Sequence, residues 1–193
     1  MTGKRGGTNE RTGRDESAET SETAGTDGTD EQRVDGTDDG KHTPGETALV
    51  LDAMLGKLST YLRMCGYDAT YTGERGLTDD ETVLAVAHTE DRLVVTRDRA
   101  LARRADRSVL LSTREVTDQL RELQDAGFAL ALADEPARCS ACNRPLETVD
   151  WTEPTPEYAP PPHEQPVWRC RGCGQHFWKG SHWDDVASTL DQL

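Results

Sequence analysis

Apolar positions are unevenly spread along this 193-residue chain. From Met1 to about Thr47 there is no Phe, Trp or Tyr and almost no large aliphatic residue, Val34 being the main exception. Gly, Thr, Asp and Glu dominate there. Such a segment cannot bury enough apolar surface to offset the entropy of ordering, so residues 1–47 are predicted to form a disordered arm. Its GTD-like triplets are low complexity, too short and too polar for a solenoid repeat. Beyond it the pattern acquires periods. The run at 48–51 reads as a buried strand that ends on Asp52. Met54, Leu55, Leu58, Tyr61, Leu62 and Cys65 then recur at three-to-four spacing, which predicts a helix over 53–65 stopped by Gly66. YDATYT (67–72) is β-prone, and 73–78 reads as a loop with Thr78 or Asp79 as candidate N-cap. A helix over 79–90 would bury Val83, Leu84, Val86 and Ala87. RLVVT (92–96) is a buried strand, 97–105 a helix, 109–112 a strand, and 113–126 an amphipathic helix with Val116, Leu120 and Leu123 inward. Strand–helix alternation at this rhythm predicts an α/β fold: a parallel sheet with flanking helices and right-handed crossovers over 48–133.

The character changes near Asp134. Four cysteines and most of the prolines follow, with little helical periodicity, so 134–193 reads as a second module with a tail. Cys139-Ser-Ala-Cys142 and Cys170-Arg-Gly-Cys173 are two CxxC pairs separated by 27 residues. Each pair can sit on a tight turn that points two thiolates at one ion, and four thiolates give the tetrahedral shell that Zn²⁺ prefers. Gly172 and Gly174 loosen the second turn; Asn143 and Pro145 punctuate the first. Iron–sulfur or redox chemistry is the lesser alternative. With four sulfur ligands the shell is full, which makes the zinc structural. His176, three residues after Cys173, is a weaker competitor. Cys65 falls on the buried helix stripe and reads as a packed core thiol.

Charge changes the picture next. The net charge is −14, and the 18 arginines far outnumber the four lysines. The arm holds 12 acids against 6 bases, and the remainder is also acidic. Abundant acids with scarce lysine suggest a protein adapted to high salt. Long-range repulsion is screened there, so a local cationic patch counts for more than net charge. No apolar h-region occupies the first 45 residues and no run approaches a membrane span, so a soluble, cytoplasmic protein is expected.

Against that background the acids fall in a pattern. Asp52 follows the first strand, Asp98 follows the third in Thr96-Arg97-Asp98, and Asp79, Asp80 and Glu81 open the helix between. Each alone fits a helix cap. Together, a right-handed α/β unit can bring Asp52, Asp80 and Asp98 to one sheet edge, where a hard cation such as Mg²⁺ or Mn²⁺ would neutralise them and activate water against a phosphodiester. Arg97, Arg99, Arg103, Arg104 and Arg107 lie within eleven residues, joined by Arg92, Lys57 and Arg63. That density argues for an anionic ligand such as a nucleic-acid backbone.

The blocks LVLDAMLGKLSTYLRMCGYDATY, TDDETVLAVA, RLVVTRDRALARR, ARCSACNRPL and WRCRGCGQHFWKGSHW resemble, in order and spacing over 48–185, the Mut7-C RNase domain family. The resemblance implies a PIN-like α/β nuclease joined to a C-terminal zinc ribbon. It implies a metal-dependent ribonuclease, with catalytic acids at Asp52, Asp80 (or its neighbour Asp79) and Asp98, an Mg²⁺ or Mn²⁺ cofactor, and RNA, single-stranded or structured, as partner. Lys57, Arg63, Arg97, Arg99 and Arg103 are the expected substrate contacts. Some relatives carry a ubiquitin-like domain ahead of the nuclease, and the low-complexity arm here inherits no such partner. Phe177, Trp178, His182 and Trp183 are expected to pack the ribbon on the α/β domain, with base stacking as the alternative. Two rival readings remain: a non-catalytic RNA- or ribosome-associated zinc-ribbon module, and a toxin-like PIN nuclease.

Overall fold

The β-prone runs become β1 (Ala48–Leu51), β2 (Asp68–Tyr71), β3 (Leu93–Thr96) and β4 (Ser108–Leu110). In a computed structural model, which describes residues 41–193, they form one parallel sheet in the order β2-β1-β3-β4. Residues 1–40 of the expected disordered arm lie outside the described residues. The last residues of that stretch are folded: His42 bridges to Phe128, its carbonyl accepting from Ala129 N–H at 2.9 Å. Structure is therefore present several residues before the expected boundary at 48.

Alternation within the strands sorts two cores. Leu49, Leu51, Leu93, Val95 and Val109 face α1 (Gly56–Met64) and α5 (Val116–Asp125). Val50 and Val94 face α3 (Asp80–Thr89) and α4 (Arg99–Arg104). A sheet covered on both faces explains strands that are apolar throughout rather than alternating.

Helix starts differ from the periodicity for identifiable reasons. Residues 53–55 form a 3-10 turn ahead of α1, braced by the Tyr71 hydroxyl donating to Ala53 O at 2.6 Å. A one-turn helix, α2 (Thr72–Arg75), occupies the predicted loop and ends at Gly76 with φ 66°. The last predicted helix begins three residues late because α5 side chains hold 112–114 in a loop. Glu122 accepts from Ser112 N–H (2.7 Å) and Thr113 N–H (3.0 Å), and buried Gln119 donates to the carbonyls of Thr113 and Arg114.

The cysteine-rich segment forms an antiparallel sheet of β5 (Leu146–Thr148), β6 (Val167–Cys170) and β7 (His176–Trp178). A terminal helix, α6 (Ser181–Leu190), was not legible as such and does not stay with the ribbon. Its Val186 and Leu190 join the larger core beside α1 and α5. Met64 of α1 and Pro136, Leu146, Phe177, Trp178 and Trp183 enclose a small cavity of about 60 Å³. These aromatics are therefore packing elements between the ribbon and the α/β sheet.

Candidate functional site

The connection after β1 turns to one face of the sheet, into α1, and the connection after β3 turns to the other, into α4. Between two such strands the loops part and leave a crevice at their carboxyl ends, the place where open α/β sheets bind ligands. Asp52 and Asp98 flank that crevice. One side chain links them: the fully buried Thr96 hydroxyl donates to Asp52 Oδ2 at 2.8 Å and accepts from Asp98 N–H at 2.9 Å. Asp52 N–H donates to Val95 O at 3.1 Å, so the backbone fixes the same pair. Asp52 Oδ1 accepts from Ala53 N–H, and Asp98 Oδ1 accepts from Ala100 and Leu101 N–H. Both aspartates are thus helix caps, and Thr96 ties them together at the carboxyl ends of β1 and β3. Thr96 is the residue that sequence reasoning passed over. Its signal was a polar side chain at the end of an otherwise apolar strand.

The other acids are engaged differently. Asp79 is the N-cap of α3: its carboxylate accepts from Thr82 N–H at 2.9 Å and from the Thr82 hydroxyl, bonds that hold its pKa below the ordinary carboxylate value. Asp80, on the first helical turn, meets Arg104 Nη1 at 3.2 Å, and Arg104 also binds Glu81. Asp80 is therefore at the mouth of α3 but joined to α4 rather than to the Asp52–Asp98 pair.

The cations divide as well. Lys57 is exposed on α1, and Arg99 and Arg103 are exposed on α4, where Arg103 Nε donates to Arg99 O at 3.1 Å. Arg97 follows β3, its Nη1 lying 3.7 Å from the sulfur of exposed Met54 and its Nε buried without a partner. Arg63 corrects the expectation of a substrate contact: its side chain is 0% exposed. Its Nε donates to Ala69 O, while Nη1 and Nη2 grip Glu74 at 2.8 and 2.7 Å. Nη1 also reaches Ser140 O at 3.0 Å, between the cysteines of the first knuckle. The α-helical period put Arg63 off the apolar stripe, but the ribbon covers that side. Arg92 is likewise structural, holding Asp68 at 2.8 Å and Glu90 at 2.6 Å. Asp68 completes the tether: Asn143 donates to it at 2.7 Å and Arg138 pairs with it at 3.2 Å. Burial works against its charged form, yet the bonds from Arg92 and Asn143 win and lower its pKa.

Four sulfurs form the tightest constellation. The Sγ atoms of Cys139, Cys142, Cys170 and Cys173 all lie within 4.8 Å of one another. Cys139–Cys173 and Cys142–Cys170 are 3.8 and 3.4 Å apart, close to the roughly 3.8 Å edge of a tetrahedron with 2.3 Å zinc–sulfur bonds. The residue after each pair takes a left-handed backbone, Asn143 at φ 65° and Gly174 at φ 75°. Gly172 is needed for space instead, since a Cβ there would stand 2.6 Å from Arg144 Cγ. Burial opposes ionisation of Cys170, but the Cys173 and Gly172 N–H groups aimed at its sulfur outweigh it and bring the thiol down to about 7. The cluster can hold a zinc ion. His176 is outside it, and among the described residues no other group of three or more Cys, His, Asp or Glu is drawn so close. Cys65 is buried, which pushes its thiol up to about 12, as a core thiol should be.

A larger cleft, about 530 Å³, opens at the amino ends of β3 and β4. Its cations are already neutralised: Arg92 by Glu90, Arg107 by Asp91 and Arg104 by Asp80 and Glu81. Among the described residues no helix is long and apolar enough to cross a membrane. Comparison with curated proteins and with solved structures gives no match. The Mut7-C RNAse domain family model matches residues 47–190, a span that takes in both the aspartate crevice and the cysteine quartet. The chain belongs to the Mut7-C RNAse domain family.

Proposed function

We propose that this protein is a divalent-metal-dependent ribonuclease whose reaction takes place at the carboxyl edge of the parallel sheet. The observation that carries this reading is the Thr96-bridged pair Asp52 and Asp98, set where the chain connections part. Their donor set is all oxygen and anionic, which fits Mg²⁺ or Mn²⁺ rather than a thiophilic ion. Asp98 spends Oδ1 on two amides, so Oδ2 is the atom to offer. Asp80 is the proposed third carboxylate, and to serve it must exchange Arg104 for the ion. When bound, the ion would lower the pKa of a water and polarise the phosphodiester. Thr96 keeps Asp52 oriented, and Arg97, with Lys57, Arg99 and Arg103 further out, would seat the RNA backbone. The cysteine quartet would hold a structural zinc that fixes the ribbon against α1 through Ser140 and against β2 through Asn143.

Replacing Asp98 with Asn tests the assignment. Asn still caps α4, so folding and RNA binding should persist while cleavage falls by about 10³-fold, the scale of several kcal/mol of transition-state stabilisation. Cleavage by that variant at the parental rate, in a preparation free of contaminating nuclease, would sink the proposal. Steady retention of RNA by the parent protein without cleavage, in either Mg²⁺ or Mn²⁺, would favour the non-catalytic binding module.

A further inference from the structure

A carboxylate that is to bind an ion is best held in place before the ion arrives, and the groups that hold it matter almost as much as the ligand itself. Asp52 follows the interior strand β1 and is held from the strands on either side. From β3, the Thr96 hydroxyl donates directly to Asp52 Oδ2 at 2.8 Å. On the β2 side the hold is indirect. Asp52 Oδ1 accepts from Ala53 N–H at 2.6 Å, and the Ala53 carbonyl accepts from the Tyr71 hydroxyl at 2.6 Å. Tyr71 ends β2 opposite Leu51, so its side chain reaches from β2 to the turn that carries Asp52.

The Tyr71 ring lies in a slot shaped by two glycines. A Cβ at Gly73 would stand 2.6 Å from the ring, and a Cβ at Gly56 would stand 3.1 Å from it. Neither glycine has a positive φ, so what each supplies is space for the ring rather than backbone freedom. Gly56 opens α1 and Gly73 lies in α2. The residue after Gly73, Glu74, is gripped by the fully buried Arg63 at 2.8 and 2.7 Å, which anchors that wall of the slot to α1. A phenylalanine ring would fill such a slot equally well. Packing alone therefore does not call for the hydroxyl that reaches Ala53.

We propose that Tyr71 is a positioning residue for the divalent-metal site, an inference that rests on the ribonuclease reading. It touches neither ion nor RNA. Its hydroxyl fixes Ala53, and Ala53 N–H fixes the rotation of the Asp52 carboxylate from the β2 side as Thr96 fixes it from the β3 side. Without the hydroxyl the 53–55 turn loses one of its restraints. Asp52 then spends part of its time in rotamers that do not present its oxygens to the ion, and metal affinity falls.

Titrating the zinc-loaded full chain with Mn²⁺, and following free Mn²⁺ by electron paramagnetic resonance, tests it. The parent should show an Mn²⁺ site that Asp98→Asn removes. Tyr71→Phe keeps the ring in its slot and should weaken Mn²⁺ binding about fivefold, the scale of one neutral hydrogen bond. Its thermal midpoint should fall by no more than about 4 °C. Its affinity for a labelled oligouridylate without divalent ion should match the parent's. In cleavage assays the Mn²⁺ concentration for half-maximal rate should rise by the same factor, with KM for RNA unchanged. Gly73→Ala, whose Cβ would press on the ring, should weaken Mn²⁺ binding at least as much. Parental Mn²⁺ affinity in Tyr71→Phe would overturn the positioning role and leave the Asp52–Asp98 site standing. A parent protein with no Mn²⁺ site sensitive to Asp98→Asn would remove the positioning role and the ribonuclease reading together.

Discussion

The two candidate sites are assembled by opposite means. In the sulfur corner, two six-residue turns place four thiols within 4.8 Å of one another, and the left-handed Asn143 and Gly174 close each turn. At the carboxyl edge, Asp52 and Asp98 are 46 positions apart in the chain and meet only because β1 and β3 are neighbours joined by Thr96. The first is local geometry repeated; the second is topology. A site made by local turns is complete in itself and suits scaffolding. One made by topology stays partly open, with Asp80 still on Arg104 and Arg97 without a carboxylate. That incompleteness is what a site requires if substrate and ion are to finish it.

Removing the sulfur corner's metal should give the largest effect. Structural zinc contributes on the order of 10–16 kcal/mol of apparent binding free energy at neutral pH. Cys170→Ser or exhaustive chelation should therefore unfold β5–β7, read as lost amide protection in hydrogen exchange. Intact ribbon protection without zinc would mean that the sheet stands by itself and the comparison is misdrawn.

Next comes the joint between the regions. Arg63→Leu removes a fully buried guanidinium and strands the carbonyls of Ala69 and Ser140. A loss of about 3–5 kcal/mol in urea unfolding is expected, the scale for breaking a buried charged network. Because the same side chain bonds the zinc knuckle, the variant should also hold zinc more weakly, by linkage. A change below about 0.5 kcal/mol, the level of an ordinary surface substitution, would place Arg63 back among the solvent-facing cations.

A smaller effect belongs to Asp68. Its pKa is depressed below the ordinary 3.8, so its contribution to stability is complete above that value. The contribution disappears as pH falls through the lower native pKa. Asp68→Asn should flatten the stability–pH curve below about pH 4 and leave its shape near neutrality unchanged. An unchanged acid limb would show that the tether does not depend on the Asp68 charge.

The sequence was most legible where structure is local. The strand at 48–51, the four cysteines and the acids at strand ends all follow from period and spacing within a few residues. Legibility failed where distant segments cover one another. Arg63 lay off the apolar stripe of its own helix, and nothing nearby in sequence could announce that Ser140, 77 positions on, would bury it. The same holds for α6, whose Val186 and Leu190 complete a core begun more than a hundred residues earlier. Asp80 sits between these cases: its place in the first turn of α3 was readable, its attachment to Arg104 was not.

Soaking crystals of the protein in Mn²⁺ and locating the ion by its anomalous signal tests the central claim most directly. The account predicts an ion in the crevice between β1 and β3, bound by Asp52 and Asp98 at oxygen distances of about 2.0–2.6 Å, with Asp80 released from Arg104. A well-ordered crystal with saturating Mn²⁺ and no ion at those two aspartates would contradict it.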